Sequence, residues 1–97
     1  MANFLNFSGK KILIAGGAAG IGRSTAILLS KLGASVFLID INEKGLNEVL
    51  YNLEGSDHHN FKFDLTKLDA IEPNVKEIIK ITGPLDGFIH CAGIRSR

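Results

Sequence analysis

The chain has 97 residues, room for one small domain, and its 45% apolar and 22% charged content sits near globular averages, which argues against disorder. Eleven basic against ten acidic side chains leave a net charge of +1, so no long-range field favours nucleic acid or an anionic membrane. A single cysteine excludes an intrachain disulfide and fits a reducing, cytoplasmic setting.

Residues 1–9 read as a lead-in whose Phe4, Leu5 and Phe7 lie against the body of the domain. Lys11 to Ala15 is a short apolar run bounded by glycine, as expected of a strand buried on both faces. Lys10-Lys11 followed by apolar residues mimics a signal peptide only loosely, because the stretch is rich in glycine and alanine. From Ile21 to Leu32, Ala26, Ile27, Leu29 and Leu32 recur at helical spacing, and Gly33 is placed to cap the end.

Ser35 to Ile39 is a second buried strand, closed by Asp40. A helix follows from an Asn42 N-cap with Glu43 in its first turn; Leu46, Val49, Leu50 and Leu53 form its inward stripe, and Gly55 stops it. Tyr51 falls among these apolar residues and is expected to pack. Asn60 to Phe63 is a third strand ending at Asp64. Thr66 and Asp69 resemble a capping pair opening a third helix that carries Val75, Ile78 and Ile79, with Pro73 bending it or marking its first turn. Gly83-Pro84 then punctuates, and Leu85 to His90 is a fourth strand. Strands alternating with helices through short loops call for right-handed crossovers and a parallel sheet covered on both faces, in one unit spanning residues 1–97.

Chemistry concentrates between the first strand and the first helix, where Gly16, Gly20 and Gly22 fall in the order Gly-x-x-x-Gly-x-Gly. Such a turn visits φ > 0 and lets an anion approach the main chain, while the following helix offers unpaired N–H groups and its positive end. That describes a dinucleotide's pyrophosphate site. Asp40, 18 residues after Gly22 at the end of the next strand, is placed to accept from ribose hydroxyls. The bland alternative is an Asp-x-Asn turn at a strand end. A carboxylate there repels a 2′-phosphate, and Ala19, Ile41 and Asn42 supply no cation, although Lys44 is near; the balance favours NAD over NADP. A metal site is not expected at His90-Cys91, since strand neighbours point to opposite faces, nor at the tandem His58-His59.

Ala15 to Gly22 resembles the Thr-Gly-x-x-x-Gly-x-Gly motif of the short-chain dehydrogenases/reductases, with alanine in place of the leading threonine. Asp64-Leu65 looks like that family's Asp-Val pair, and His90-Cys91-Ala92-Gly93 stands where the family has Asn-Asn-Ala-Gly. The resemblance implies a Rossmann-like three-layer α/β/α fold with a parallel sheet of about four strands in the order 3-2-1-4. It also implies an NAD(P)-dependent oxidoreductase that moves hydride between nicotinamide and an alcohol or carbonyl compound, homo-oligomeric at full length. Gly16, Ala18, Ala19, Gly20 and Ile21 would wrap the pyrophosphate side and Asp40 the ribose. Ile41, Asp64 and Leu65 would lie at the adenine, with Ala92 and Gly93 behind the cofactor. The 3-oxoacyl-carrier-protein reductases are similar in this region, as are sugar and steroid dehydrogenases.

The family's Tyr-x-x-x-Lys pair is not found in these residues: the one tyrosine is Tyr51, and four positions on stands Gly55. The expectation is therefore the N-terminal, cofactor-binding part of a longer reductase, inactive by itself, whose fourth strand is left as an exposed edge. A non-catalytic nucleotide-binding or interaction module is the rival reading. A flavodoxin-like or receiver-like domain would leave the glycine pattern unexplained.

Overall fold

A computed structural model describes residues 6–16, 18, 20–64 and 67–91, with the side chains of Leu68 and Ala70 left aside. Its elements run β1 (Lys11–Ala15), α1 (Gly20–Lys31), β2 (Ser35–Asp40), α2 (Glu43–Asn52), β3 (His59–Lys62), α3 (Leu68–Thr82) and β4 (Gly87–His90). The strands form one sheet in the order β3-β2-β1-β4, every pair parallel.

Alternation along each strand sorts the core into two layers. Ile12 and Ile14 of β1 and Val36 and Leu38 of β2 face α1 and α2, packing with Ala26, Leu29, Leu46 and Val49. Leu13, Phe37 and Ile39 face the opposite side and meet Ile78 of α3, with Phe61, Phe63 and Leu85 against them. The central strands are buried on both faces, which is why β1 and β2 read as continuous apolar runs. Crossing to the far side of β1 after β3 puts α3 on the other face and makes the β1–β4 boundary the place where strand order reverses.

Local chemistry accounts for the helix ends. Asn42 caps α2 by accepting from the Gly45 amide at 3.0 Å. Gly33, at φ +101°, closes α1, and the Ala34 amide returns to the Leu29 carbonyl at 3.1 Å. The Phe7 amide donates to the Leu32 carbonyl at 2.9 Å and its ring packs on the first core layer; Phe4 and Leu5 lie outside the described residues.

Several boundaries differ from the sequence expectation. Helix α3 begins after Lys67, which makes no side-chain capping bond; its amide donates to the Asp64 carbonyl at 3.1 Å. Thr66 lies outside the described residues. Pro73 sits in the second turn of α3, and the helix runs through it to Thr82. Strand β3 starts one residue early, its ladder set by Phe37 opposite His59 and Asp40 opposite Lys62. Strand β4 starts at Gly87, since Asp86 is already committed to Lys11: its carboxylate accepts from the Lys11 amide at 2.9 Å and its amide donates to the Lys11 carbonyl at 2.7 Å. Tyr51 does not pack; it is 90% exposed. At 100° per residue it stands about 140° around the helix from the buried Leu46, on the solvent side.

Candidate functional site

The carboxyl edge of the sheet gathers the candidate residues. Gly16 leaves β1 at φ +83°, and its amide donates to the Ile39 carbonyl at 2.7 Å, which keeps the turn tied to β2. Ala18 is buried, and its amide donates to Asp40 Oδ2 at 3.1 Å. Gly20 opens α1 at φ +61°, where an added Cβ would meet no atom within 4 Å. Ile21, next in the helix, is 59% exposed. Among the described residues nothing therefore stands over Gly20 at the start of α1, whose leading N–H groups have no partner within the helix. No acidic side chain stands in that turn. An anionic diphosphate fits those features.

The main-chain donors of the turn divide between the protein interior and the start of α1. The Gly16 and Ala18 amides are engaged inside the protein, so an approaching phosphate meets the start of α1 rather than those two groups.

Asp40 forms the Asp-x-Asn turn and also reaches across to the glycine turn. Its Oδ1 accepts from the Asn42 amide at 3.1 Å, an Asx turn, while Oδ2 holds the glycine turn through Ala18. Ile41, beside it, is 56% exposed. The Phe63 amide donates to the Asp40 carbonyl at 3.2 Å, which brings the half-buried Asp64 to the same edge, and the Cys91 amide donates to the Ala15 carbonyl at 2.8 Å. Gly16, Ala18, Gly20, Ile21, Asp40, Ile41 and Asp64 therefore share one edge. Ala19, Leu65, Ala92 and Gly93 lie outside the described residues.

Of the histidines, His58 and His59 lie at the opposite edge of the sheet, whereas His90 ends β4 opposite Ala15. His58 Nδ1 accepts from the Val36 amide at 2.9 Å, so its proton is on Nε2, which donates to the Glu54 carbonyl at 2.6 Å. His59 stacks on Phe37 with centroids 5.8 Å apart. His90 faces outward beside Phe88, centroids 6.2 Å apart, whereas Cys91 is buried in the first core layer. The sequence reading missed two polar fixtures. Lys11 Nζ donates to the Thr82 carbonyl at the end of α3, and Ser30 Oγ, buried, accepts from the Glu54 amide at 3.1 Å. A lysine in a buried strand was the available signal for the first; nothing local announces the second.

Strand order, crossovers and a glycine turn facing a strand-end acid define the doubly wound, Rossmann-like α/β class. Within it, the model of the short chain dehydrogenase family matches residues 10–97, and the chain belongs to that family. Short-chain dehydrogenase/reductase ABA4 of Pyricularia oryzae is 36% identical over 97 residues, covering 97% of this chain and 36% of the relative. Glucose 1-dehydrogenase of Gluconobacter oxydans is 37% identical over 90 residues, covering 90% of this chain and 34% of that enzyme. Among solved structures, the citronellol catabolism dehydrogenase of Pseudomonas aeruginosa PAO1 superposes with a TM-score of 0.81 at 27% identity, over 91% of this chain and 38% of that one. NAD+-bound xylitol dehydrogenase does so with a TM-score of 0.79 at 26% identity, over 84% and 32%. The chain thus spans about a third of the length of the curated relatives it matches. It corresponds to the N-terminal portion of the family fold, a family of oxidoreductases that use nicotinamide dinucleotides.

Proposed function

We propose that the chain is the dinucleotide-binding part of an NAD(P)-dependent oxidoreductase acting on an alcohol or carbonyl compound, with NAD preferred over NADP. The supporting observation is the Asp40 carboxylate, fixed at the end of β2 by the Ala18 and Asn42 amides beside the open start of α1. Gly16, Ala18, Ala19, Gly20 and Ile21 line the pyrophosphate side. Asp40 accepts from the ribose hydroxyls, Ile41, Asp64 and Leu65 border the adenine, and Ala92 and Gly93 back the cofactor. The bound dinucleotide supplies or takes up the hydride; these residues hold and orient it.

The preference for NAD follows from charge. A carboxylate repels a 2′-phosphate, and the NAD+-bound neighbour is consistent with that choice. Substrates similar to those of 3-oxoacyl-carrier-protein reductases remain within this reading. Hydride transfer needs more than these 97 residues supply, because Tyr51 has Gly55 four positions on and stands 90% exposed on α2. That observation favours cofactor binding without turnover for this stretch alone. Isothermal titration with NADH and NADPH is the test: NADH binds more tightly, and heat of binding for neither nucleotide would overturn the reading.

A further inference from the structure

Gly45 is buried in the first turn of α2, where alanine is the better helix former. Local preference therefore works against glycine, and the tertiary surroundings decide the position. A Cβ there would stand 3.0 Å from the Ala18 Cβ, 2.8 Å from Asn42 Nδ2 and 3.1 Å from Asn42 Cγ. Both neighbours are held. Ala18 is buried with its amide on Asp40 Oδ2, and Asn42 caps α2 through the Gly45 amide while its own amide is on Asp40 Oδ1. Ala18, Asp40 and Asn42 thus form a closed set around the bare Cα of Gly45, and a methyl group there displaces at least one of them.

We propose that Gly45 is a positioning residue for the dinucleotide site: lacking a side chain, it seats the first turn of α2 against Ala18 and so sets where the glycine turn and the Asp40 carboxylate stand. This rests on the dinucleotide reading above. The Ala18 contact is the decisive one, because its Cβ is part of the turn itself, whereas the Asn42 contacts fall on the cap of α2. Pushing Ala18 away lengthens its bond to Asp40 and turns the carboxylate from the ribose.

The test uses titration of the 97-residue chain with NADH, and amide hydrogen exchange without nucleotide. Gly45→Ala is compared with the pairs Gly45→Ala/Ala18→Gly and Gly45→Ala/Asn42→Ser, each against its own single variant. Gly45→Ala weakens NADH binding about tenfold, about 1.4 kcal/mol. It also speeds exchange at the Ala18 amide while leaving the Leu13 amide unchanged, and Ala18→Gly recovers the affinity. Unchanged affinity, or unchanged exchange at Ala18, overturns the proposal. So does recovery by Asn42→Ser alone, which would assign the effect to the helix cap. If the unsubstituted chain binds no nucleotide, the functional reading fails, and Ala18 exchange alone then judges whether Gly45 sets the turn.

Discussion

Asp40 and Ala18, 22 residues apart in sequence, are joined by a hydrogen bond of 3.1 Å from the alanine amide to the aspartate carboxylate. That bond couples the turn after β1 to the end of β2, so the residue expected to read the ribose also holds the residue expected beside the pyrophosphate. Asp40→Asn keeps one acceptor oxygen and removes the charge. It should preserve the fold while narrowing the NADH-over-NADPH preference by about fivefold, or about 1 kcal/mol. Asp40→Ala strands two amides and should lower stability by roughly 1–3 kcal/mol in urea melts while losing NADH affinity. Affinities and stability unchanged by either substitution would remove Asp40 from the site.

Gly20 tests backbone conformation without crowding. It has φ +61° and no atom within 4 Å of an added Cβ, so any cost of substitution is conformational. Gly20→Ala should destabilise by about 1–2 kcal/mol and Gly20→Asn by less, since asparagine tolerates the left-handed region. Equal melting temperatures for all three would show that α1 starts differently.

His58 fastens the α2–β3 connection to the start of β2 through its neutral imidazole. Nitrogen-15 shifts at neutral pH should identify the Nε2–H tautomer. His58→Ala should cost about 1–3 kcal/mol by leaving the Val36 amide without its acceptor. A shift pattern with the proton on Nδ1 would contradict the assignment.

Lys11 carries a strand position and caps a helix on the other side of the sequence. Its ammonium donates to the Thr82 carbonyl at the negative end of α3. Lys11→Met keeps the aliphatic stem and should lose about 0.5–1 kcal/mol, an amount reduced by added salt. Salt-independent loss would point to packing instead.

Strand β4 pairs with β1 on one side, and Phe88 on it is 54% exposed beside the outward His90. Among the described residues the other edge of β4 is unpaired, and an apolar residue on such a strand invites pairing between copies. The isolated 97-residue chain should self-associate in sedimentation velocity, and Phe88→Lys should shift it toward monomer. A monodisperse wild-type monomer would refute this.

The order of the elements, the two-faced burial of β1 and β2 and the glycine turn were legible in the chain before any packing was known. Continuous apolar runs, helical periodicity and clustered glycines are signals carried by residues close together in the chain. The Asn42 cap was legible for the same reason: its acceptor and donor are three residues apart. Packing set where β4 and β3 begin, because Lys11 claims Asp86 and the β2 register dictates that of β3. It also decided that Tyr51 faces solvent, that the Ala18 amide is held by Asp40, and that a Cβ at position 45 would stand 3.0 Å from that of Ala18. Each depends on atoms brought together from distant parts of the chain, and spacing along a sequence says nothing about the distance between two surfaces once they have packed.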